Sequence, residues 1–353
     1  MTPEVRASID AYRASTTPLP KIIVIYGPTA CGKTSLAIEV AQYIGSDIIS
    51  ADSRQIYRGL DIGTGKVTPG EMQGVKHHML DIIDPSEVYS MVDYRKAVDQ
   101  LWIVNCELWI IDQKNQVIQQ QTSQKQEVRG SEDFLEWAYS SISECKKSET
   151  DDEIRSFSGV CPIICGGTGL YIDSILYDMD YPDTPPDWAY RDELERIRQD
   201  DWDIALWNML DRVDPEYARE LIPENYRYVM RGLEVIRATG RSKREAQGTK
   251  RARFSPLFLT PYRDREDTRK ELYAHIDTRI GEMFSHWLVE EVRYNIWKYS
   301  AHCPGLETIG YKEVVAYLEW HTTLDATIAL IVQHSRNYAK RQITWNKKYG
   351  KCS

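Results

Sequence analysis

Lys21-Ile22-Ile23-Val24-Ile25-Tyr26-Gly27-Pro28-Thr29-Ala30-Cys31-Gly32-Lys33-Thr34 is the stretch whose reading decides the fold. Its second half, Gly27 to Thr34, fits G-x-x-x-x-G-K-[ST], a loop whose backbone N–H groups wrap phosphate oxygens. Its first half is short and β-branched, as a buried parallel strand is. The glycines allow a tight turn that brings bare backbone against an anion. Ser35 to Ile44 reads as the following helix, with Leu36, Ile38, Val40 and Ala41 among its apolar positions. Its positive N-terminus faces the phosphates. Lys33 supplies a point charge, and the Thr34 hydroxyl is suited to ligate Mg²⁺. Cys31, inside the loop, reads as a small filler rather than a nucleophile. The fold class that follows is α/β, a P-loop-type parallel sheet. Most such loops hold ATP or GTP, so a kinase or NTPase is the first reading.

Downstream, Asp47 to Ser50 reads as a second strand ending in Ala51-Asp52-Ser53-Arg54-Gln55-Ile56-Tyr57. Polar groups at the carboxyl ends of strands in an open parallel sheet point into the ligand crevice, so Asp52 and Gln55 should face the contents of the loop. Residues 77–85 predict a third strand closed by Pro85. His77 and His78 alternate sides there, so polar contacts suit them better than a shared metal. Cys161 to Gly169 is another strand running into a glycine turn, with a helix over Leu170–Tyr177. From about Tyr181 the pattern turns helical: Trp188–Gln199, Trp202–Asp211, Pro215–Ile222 and Tyr226–Thr239. This predicts a helical lobe, residues 181–253, inserted into a core of residues 1–180 and 254–353. Phe254 to Leu259 returns to the sheet.

At 353 residues the chain accommodates both parts. No apolar run is long enough for a membrane span. Met1 to Pro20 lacks an apolar h-region and mixes acids with bases, so no secretory or transit signal is expected, only a frayed polar leader. Seven scattered cysteines without a C-x-x-C pair argue against a disulfide framework or structural zinc and suit a reducing cytoplasm. The net charge of −9 is unevenly spread. Residues 227–253 carry nine Lys/Arg against two Glu, and residues 336–351 carry six with no acid. These two basic stretches could meet a polyanion. Residues 101–160 hold eleven acids against six bases and read as a solvated acidic insertion, with a hairpin near 109–118 and a helix near 132–146.

The ordered series GPTACGKT at 27–34, ADSRQIY at 51–57, DIGTGK at 61–66, HHMLDIIDP at 77–85, YSMVDY at 89–94 and GGTGLY at 166–171 closely resembles the tRNA dimethylallyltransferase (tRNA isopentenyltransferase) family. DPEYA at 214–218, RGLEV at 231–235, IGYKE at 309–313 and YAKRQITW at 338–345 extend the resemblance to about residue 348, the 101–160 insertion excepted. The resemblance implies transfer of a five-carbon chain from dimethylallyl diphosphate to the exocyclic amine of an adenosine at tRNA position 37, beside the anticodon. It implies Mg²⁺ as cofactor, tRNA (its anticodon stem-loop) and dimethylallyl diphosphate as partners, a monomer, and no membrane. Gly27 through Thr34 would hold the diphosphate together with Arg279. Thr29 would lie near the reacting carbon.

Asp52 suits the general base that takes the amine proton; a Walker-type Mg²⁺ ligand is the other reading open for it. Ser53 and Gln55 would help hold the flipped base beside Arg54, and Thr168 and Arg191 would contact tRNA. Arg227 and Arg231 share a helical face, while Tyr228 stands where the family often has arginine. Ile309, Gly310, Tyr311 and Lys312 complete the implied tRNA contacts. His275 replaces a family arginine, which makes the cation there pH-dependent. No zinc-finger tail of the kind some eukaryotic relatives carry is expected. An adenylate isopentenyltransferase acting on AMP would need neither basic stretch nor the helical lobe. A tRNA-binding module without catalysis would not need Lys33, Thr34, Asp52 and Thr168. A small-molecule kinase is disfavoured by the motifs after the loop.

Overall fold

The computed structural model describes residues 1–101, 161–178, 187–246 and 250–351. The hairpin and helix expected within 101–160 lie outside the described residues. A parallel five-stranded sheet runs in the order β3-β2-β4-β1-β7. Its strands are β1 (Lys21–Tyr26), β2 (Ile48–Ser50), β3 (His77–His78), β4 (Ile163–Gly166) and β7 (Ser255–Leu259). Ile22 to Ile25 are fully buried, as a strand covered on both faces demands. In β1, Ile23 pairs with Ile163 on one side and Leu257 on the other.

The strand order positions the site. From β1 the chain passes through helix α2 (Lys33–Ile44) to β2, two strand positions away, and β4 later fills the gap. The carboxyl ends of β1, β4 and β2 are therefore neighbours, and each opens into one of the polar segments singled out in the sequence. This is the switch point at which open α/β sheets bind ligands.

Several expectations need correction. The expected polar leader is a helix, α1 (Pro3–Ala14), started by Thr2, whose hydroxyl accepts from Val5 N, and by Pro3 in the first turn. Its Ile9 is fully buried in the cluster beneath β1 and α2. The third strand is only two residues long, because Met79 and Asp81 adopt φ of 64° and 54° and break the extended chain. Pairing resumes as a single bridge between Tyr57 and Ile83. Helix α3 (Gly169–Leu176) stops one residue before the expected end, since Tyr177 enters β5 (Tyr177–Asp178). Tyr94 and Tyr171, from two of the sequence motifs, stack at 4.0 Å, and the Tyr94 hydroxyl donates to Ser50 O.

The chain divides into two compact units, residues 1–175 with 254–353, and residues 176–253. The second unit has its own core of Leu194, Leu206, Leu210, Tyr217, Val229, Met230 and Leu233. Its first two helices, divided as expected, lie in the run α4 (Trp188–Val213), which the non-helical Trp202, with φ of 67°, breaks into two. The next, α5 (Pro215–Ala218), is four residues rather than eight, and α6 (Tyr226–Thr239) follows. β5 pairs antiparallel with β6 (Arg251–Ala252), which brings the entry and exit of this unit together. In the first unit the chain after β7 is helical: α7 (Glu266–Ser285), α8 (Leu288–Tyr299), α9 (Tyr311–Leu318) and α10 (Leu324–Asn346). These close over a second apolar cluster that includes Leu60, Ile276, Leu288 and Ile343.

Candidate active site

The loop after β1 enters α2 through Gly32, whose φ of 85° is the left-handed region glycine occupies at little cost. Lys33 Nζ folds back to Pro28 O at 2.7 Å, a neutral acceptor that leaves the positive charge intact. Thr29 N donates to Gln342 Oε1 at 2.8 Å, and Gln342 Nε2 donates to Gly167 O at 3.0 Å. Gln342 is buried in α10 and ties the two glycine turns together. The motif around Gln342 does not by itself announce this role. The available signal was a glutamine placed between Ala339 and Ile343 on a buried helix face.

Beside this loop, the end of β2 and the turn after β4 are bonded to each other. Thr168 N donates to Ala51 O at 3.1 Å, and Ser53 N donates to Thr168 Oγ1 at 3.1 Å. Asp52 Oδ1 accepts from Arg54 N at 2.9 Å, which orients the carboxylate. Gln55 Nε2 donates to Gly65 O at 3.2 Å.

These pieces wall a cleft of about 820 Å³, within the range of small-molecule sites. Thr29 to Thr34, Asp52, Gln55, His275, Arg279, Tyr338 and Gln342 all line it, so the expected diphosphate and base-side groups converge there. Gly27 and Pro28 are buried under the loop. Ser53, Arg54 and Thr168 adjoin Asp52 in the bonding just described but do not line the cleft. Burial pushes the Arg279 pKa down, opposed by Asp52, Glu71 and Glu282. Burial also pushes the Cys31 thiol up, more than nearby Lys33 lowers it, which suits a filler. Tyr338 is pushed up to about 12, chiefly by burial and next by Asp52, so it stays a neutral phenol.

Among the described residues no three His, Cys, Asp or Glu side chains group into a metal cage. The cleft offers the Thr34 hydroxyl and the Asp52 carboxylate. That donor set fits Mg²⁺, which takes one or two protein oxygens and completes its shell with phosphate and water.

Tyr311 requires a correction. It is fully buried, its hydroxyl donating to Glu291, so its ring packs in the core instead of facing tRNA. Gly310 is buried too, its N–H bonded to Glu313 at 2.7 Å. Ile309 is half-buried and Lys312 is exposed. In the second unit, Arg191 forks onto Glu234, with Nη2 at 2.9 Å, and Arg231 reaches the same carboxylate at 3.2 Å. Arg227 instead turns to the Tyr226 hydroxyl at 3.3 Å, so the two arginines expected on one face have different partners. Tyr228 is exposed, with the Lys243 ammonium 5.3 Å from its ring.

The described helices include none long and apolar enough to cross a membrane. Residues 55–108 and 137–349 match the model of the IPP transferase family. The tRNA dimethylallyltransferase of Geobacillus thermodenitrificans is 37% identical over 92% of this chain and 87% of its own length. That of Caldanaerobacter subterraneus is 34% identical over 93% of this chain and 89% of its own. The crystal structure of a tRNA isopentenylpyrophosphate transferase from Bacillus halodurans superposes with a TM-score of 0.55 at 31% identity, covering 93% of this chain and 86% of that one. A eukaryotic dimethylallyltransferase acting on tRNA, at 24% identity and a TM-score of 0.60, covers 93% of this chain and 70% of its own and shares the fold. With the family model matching residues 55–108 and 137–349 and these relatives aligned over more than nine-tenths of the chain, the chain belongs to the IPP transferase family.

Proposed function

We propose that this chain transfers a dimethylallyl group from dimethylallyl diphosphate to the exocyclic amine of adenosine 37 in tRNA. The observation that carries the reading is the convergence of Lys33, Thr34 and Arg279 with Asp52 and Gln55 on one cleft. The first three suit a diphosphate, and the last two suit a nucleobase edge. The amine nitrogen attacks the allylic carbon, the carbon–oxygen bond to diphosphate breaks, and that oxygen keeps the electron pair. Lys33, Arg279 and the loop amides stabilise the charge growing on the leaving group, the usual largest contribution to such a step. The Thr34 hydroxyl would help hold Mg²⁺, which would supply further positive charge at the leaving group. Asp52 takes the amine proton, held in aim by its bond from Arg54 N.

A stacked adenine cannot enter a cleft of this kind, so the base is flipped out and read on its edge. Residues 181–253 would serve as the tRNA-binding lobe, with the basic stretch 227–253 supplying phosphate contacts. An enzyme acting on free AMP has no use for such a lobe. The test offers labelled dimethylallyl diphosphate with either tRNA or AMP as acceptor, across a salt series. Label should pass to tRNA, with affinity falling steeply as salt rises, because each neutralised phosphate releases counterions. Equal transfer to AMP at all salt concentrations would overturn the reading.

A further inference from the structure

Asp61 to Lys66 walls the cleft without offering a free cation. The buried Lys66 ammonium sits on Asp61 Oδ1 at 2.6 Å, on Tyr57 O at 2.7 Å and on Asp81. What the segment presents is carbonyl oxygen. Arg279 Nη2 donates to Thr64 O at 3.3 Å and to Gly65 O at 3.2 Å. The approach is so close that a Cβ on Gly65 would lie 1.4 Å from Arg279 Nη2. A buried guanidinium resting on neutral oxygens keeps its charge, and its direction is set by where those oxygens are held.

They are held from behind. Glu291, in α8, accepts from Asp61 N at 3.0 Å, from Ile62 N at 2.9 Å and from Gly63 N at 3.3 Å. Three successive amides converging on one carboxylate form an anion nest filled by the protein's own side chain. The Tyr311 hydroxyl donates to the same carboxylate and accepts from Gly63 N at 3.0 Å. A Cβ on Gly63 would lie 2.4 Å from the Tyr311 ring, so the loop backbone rests directly on that ring. The path from Glu291 to Arg279 is therefore continuous through one short loop.

We infer that Glu291, backed by Tyr311, is a positioning residue that fixes the 61–65 loop so that its carbonyls aim Arg279 at the diphosphate of the donor. The inference rests on the prenyl-transfer reading for the identity of the donor. A scaffold role alone would alter stability and leave donor binding untouched in the folded protein. The test is a double-mutant cycle on the full chain, with dimethylallyl diphosphate binding followed by titration calorimetry. Glu291→Gln keeps the shape but turns an amide NH₂ toward donors. It should weaken donor binding about tenfold, the size of one charge-assisted hydrogen bond, with tRNA affinity unchanged. In an Arg279→Ala background the same change should cause no further loss. Tyr311→Phe should give a smaller loss that Arg279→Ala likewise erases, and it carries the cycle alone if Glu291→Gln does not fold. Unchanged donor binding in a folded variant, or full additivity with Arg279→Ala, would overturn the inference. Wild-type protein that binds tRNA but no donor would reject the prenyl-transfer reading, and this inference with it.

Discussion

The cations of the two compact units are anchored by different chemistry. In the core unit Lys33 rests on the Pro28 carbonyl, and Arg279 on those of Thr64 and Gly65. In the helical unit Arg191 and Arg231 both rest on the Glu234 carboxylate, whose side chain is 2% exposed. Carbonyls orient a cation without neutralising it, so Lys33 and Arg279 stay available to an anionic ligand in the cleft. A carboxylate cancels charge and binds helices together. The same residue type thus serves a ligand in one unit and the fold in the other. The basic stretch at 336–351 is also thinned this way, with Arg336 on Asp277 and Lys348 on Asp173.

The contrast predicts that substitutions in the cleft lower activity and leave stability alone, while those at Glu234 do the reverse. The largest effect should come from Asp52→Asn, a loss of about 10²–10⁴-fold in single-turnover rate, the range for a lost general base. Its melting temperature should stay at the wild-type value; a rate loss below about tenfold would remove Asp52 from the proton-transfer role. Lys33→Ala should lower kcat/KM by about 10²–10³-fold, as removal of one oxyanion-stabilising group does, with tRNA binding preserved in a filter assay. Matching loss of tRNA affinity would erase the division of labour.

At the other pole, Glu234→Ala should destabilise the helical unit by about 2–3 kcal/mol. That is less than for a fully buried pair, because both arginines keep contact with water. Denaturant unfolding checks it, and an unchanged transition would break the comparison on the helical side.

A pH effect, read in stability and not in activity, concerns Lys243, which burial and then the Arg231 charge push down to about 8 from an ordinary 10.5. Between those values the unfolded chain binds more protons than the folded one, so this group makes stability rise with pH from about 8 to 10.5. Below about 8 the folded state bears the whole cost of the charge. Lys243→Met should therefore remove an upward drift in melting temperature between these pH values. An identical drift in both proteins would mean that Lys243 is solvated.

What the sequence made legible was local. A β-branched run, two glycine turns and a polar strand end each announce themselves within ten residues, and the parallel sheet follows from them. Distant pairings were not legible. Nothing near Thr29 points to Gln342, yet that side chain joins the two glycine turns. Glu234 stands in the sequence as one acid among many bases, and its capture of Arg191 appears only once α4 packs beside α6. Tyr311 lay in a motif and so invited a binding role, whereas burial gives it a supporting one. The N-terminal helix could have been found: Thr2 and Pro3 are start signals, and Val5, Ile9 and Tyr12 recur at helical spacing.

On this reading the carbonyl-anchored cations and Asp52 form one centre for prenyl transfer to an adenosine of tRNA. Its most direct test is mass spectrometry of nucleosides digested from tRNA after incubation with dimethylallyl diphosphate, comparing wild-type protein with Asp52→Asn at equal times. Wild type should yield adenosine one dimethylallyl group heavier from the position beside the anticodon, and Asp52→Asn almost none. Unmodified adenosine with wild type, or equal yields from both proteins, would contradict the account.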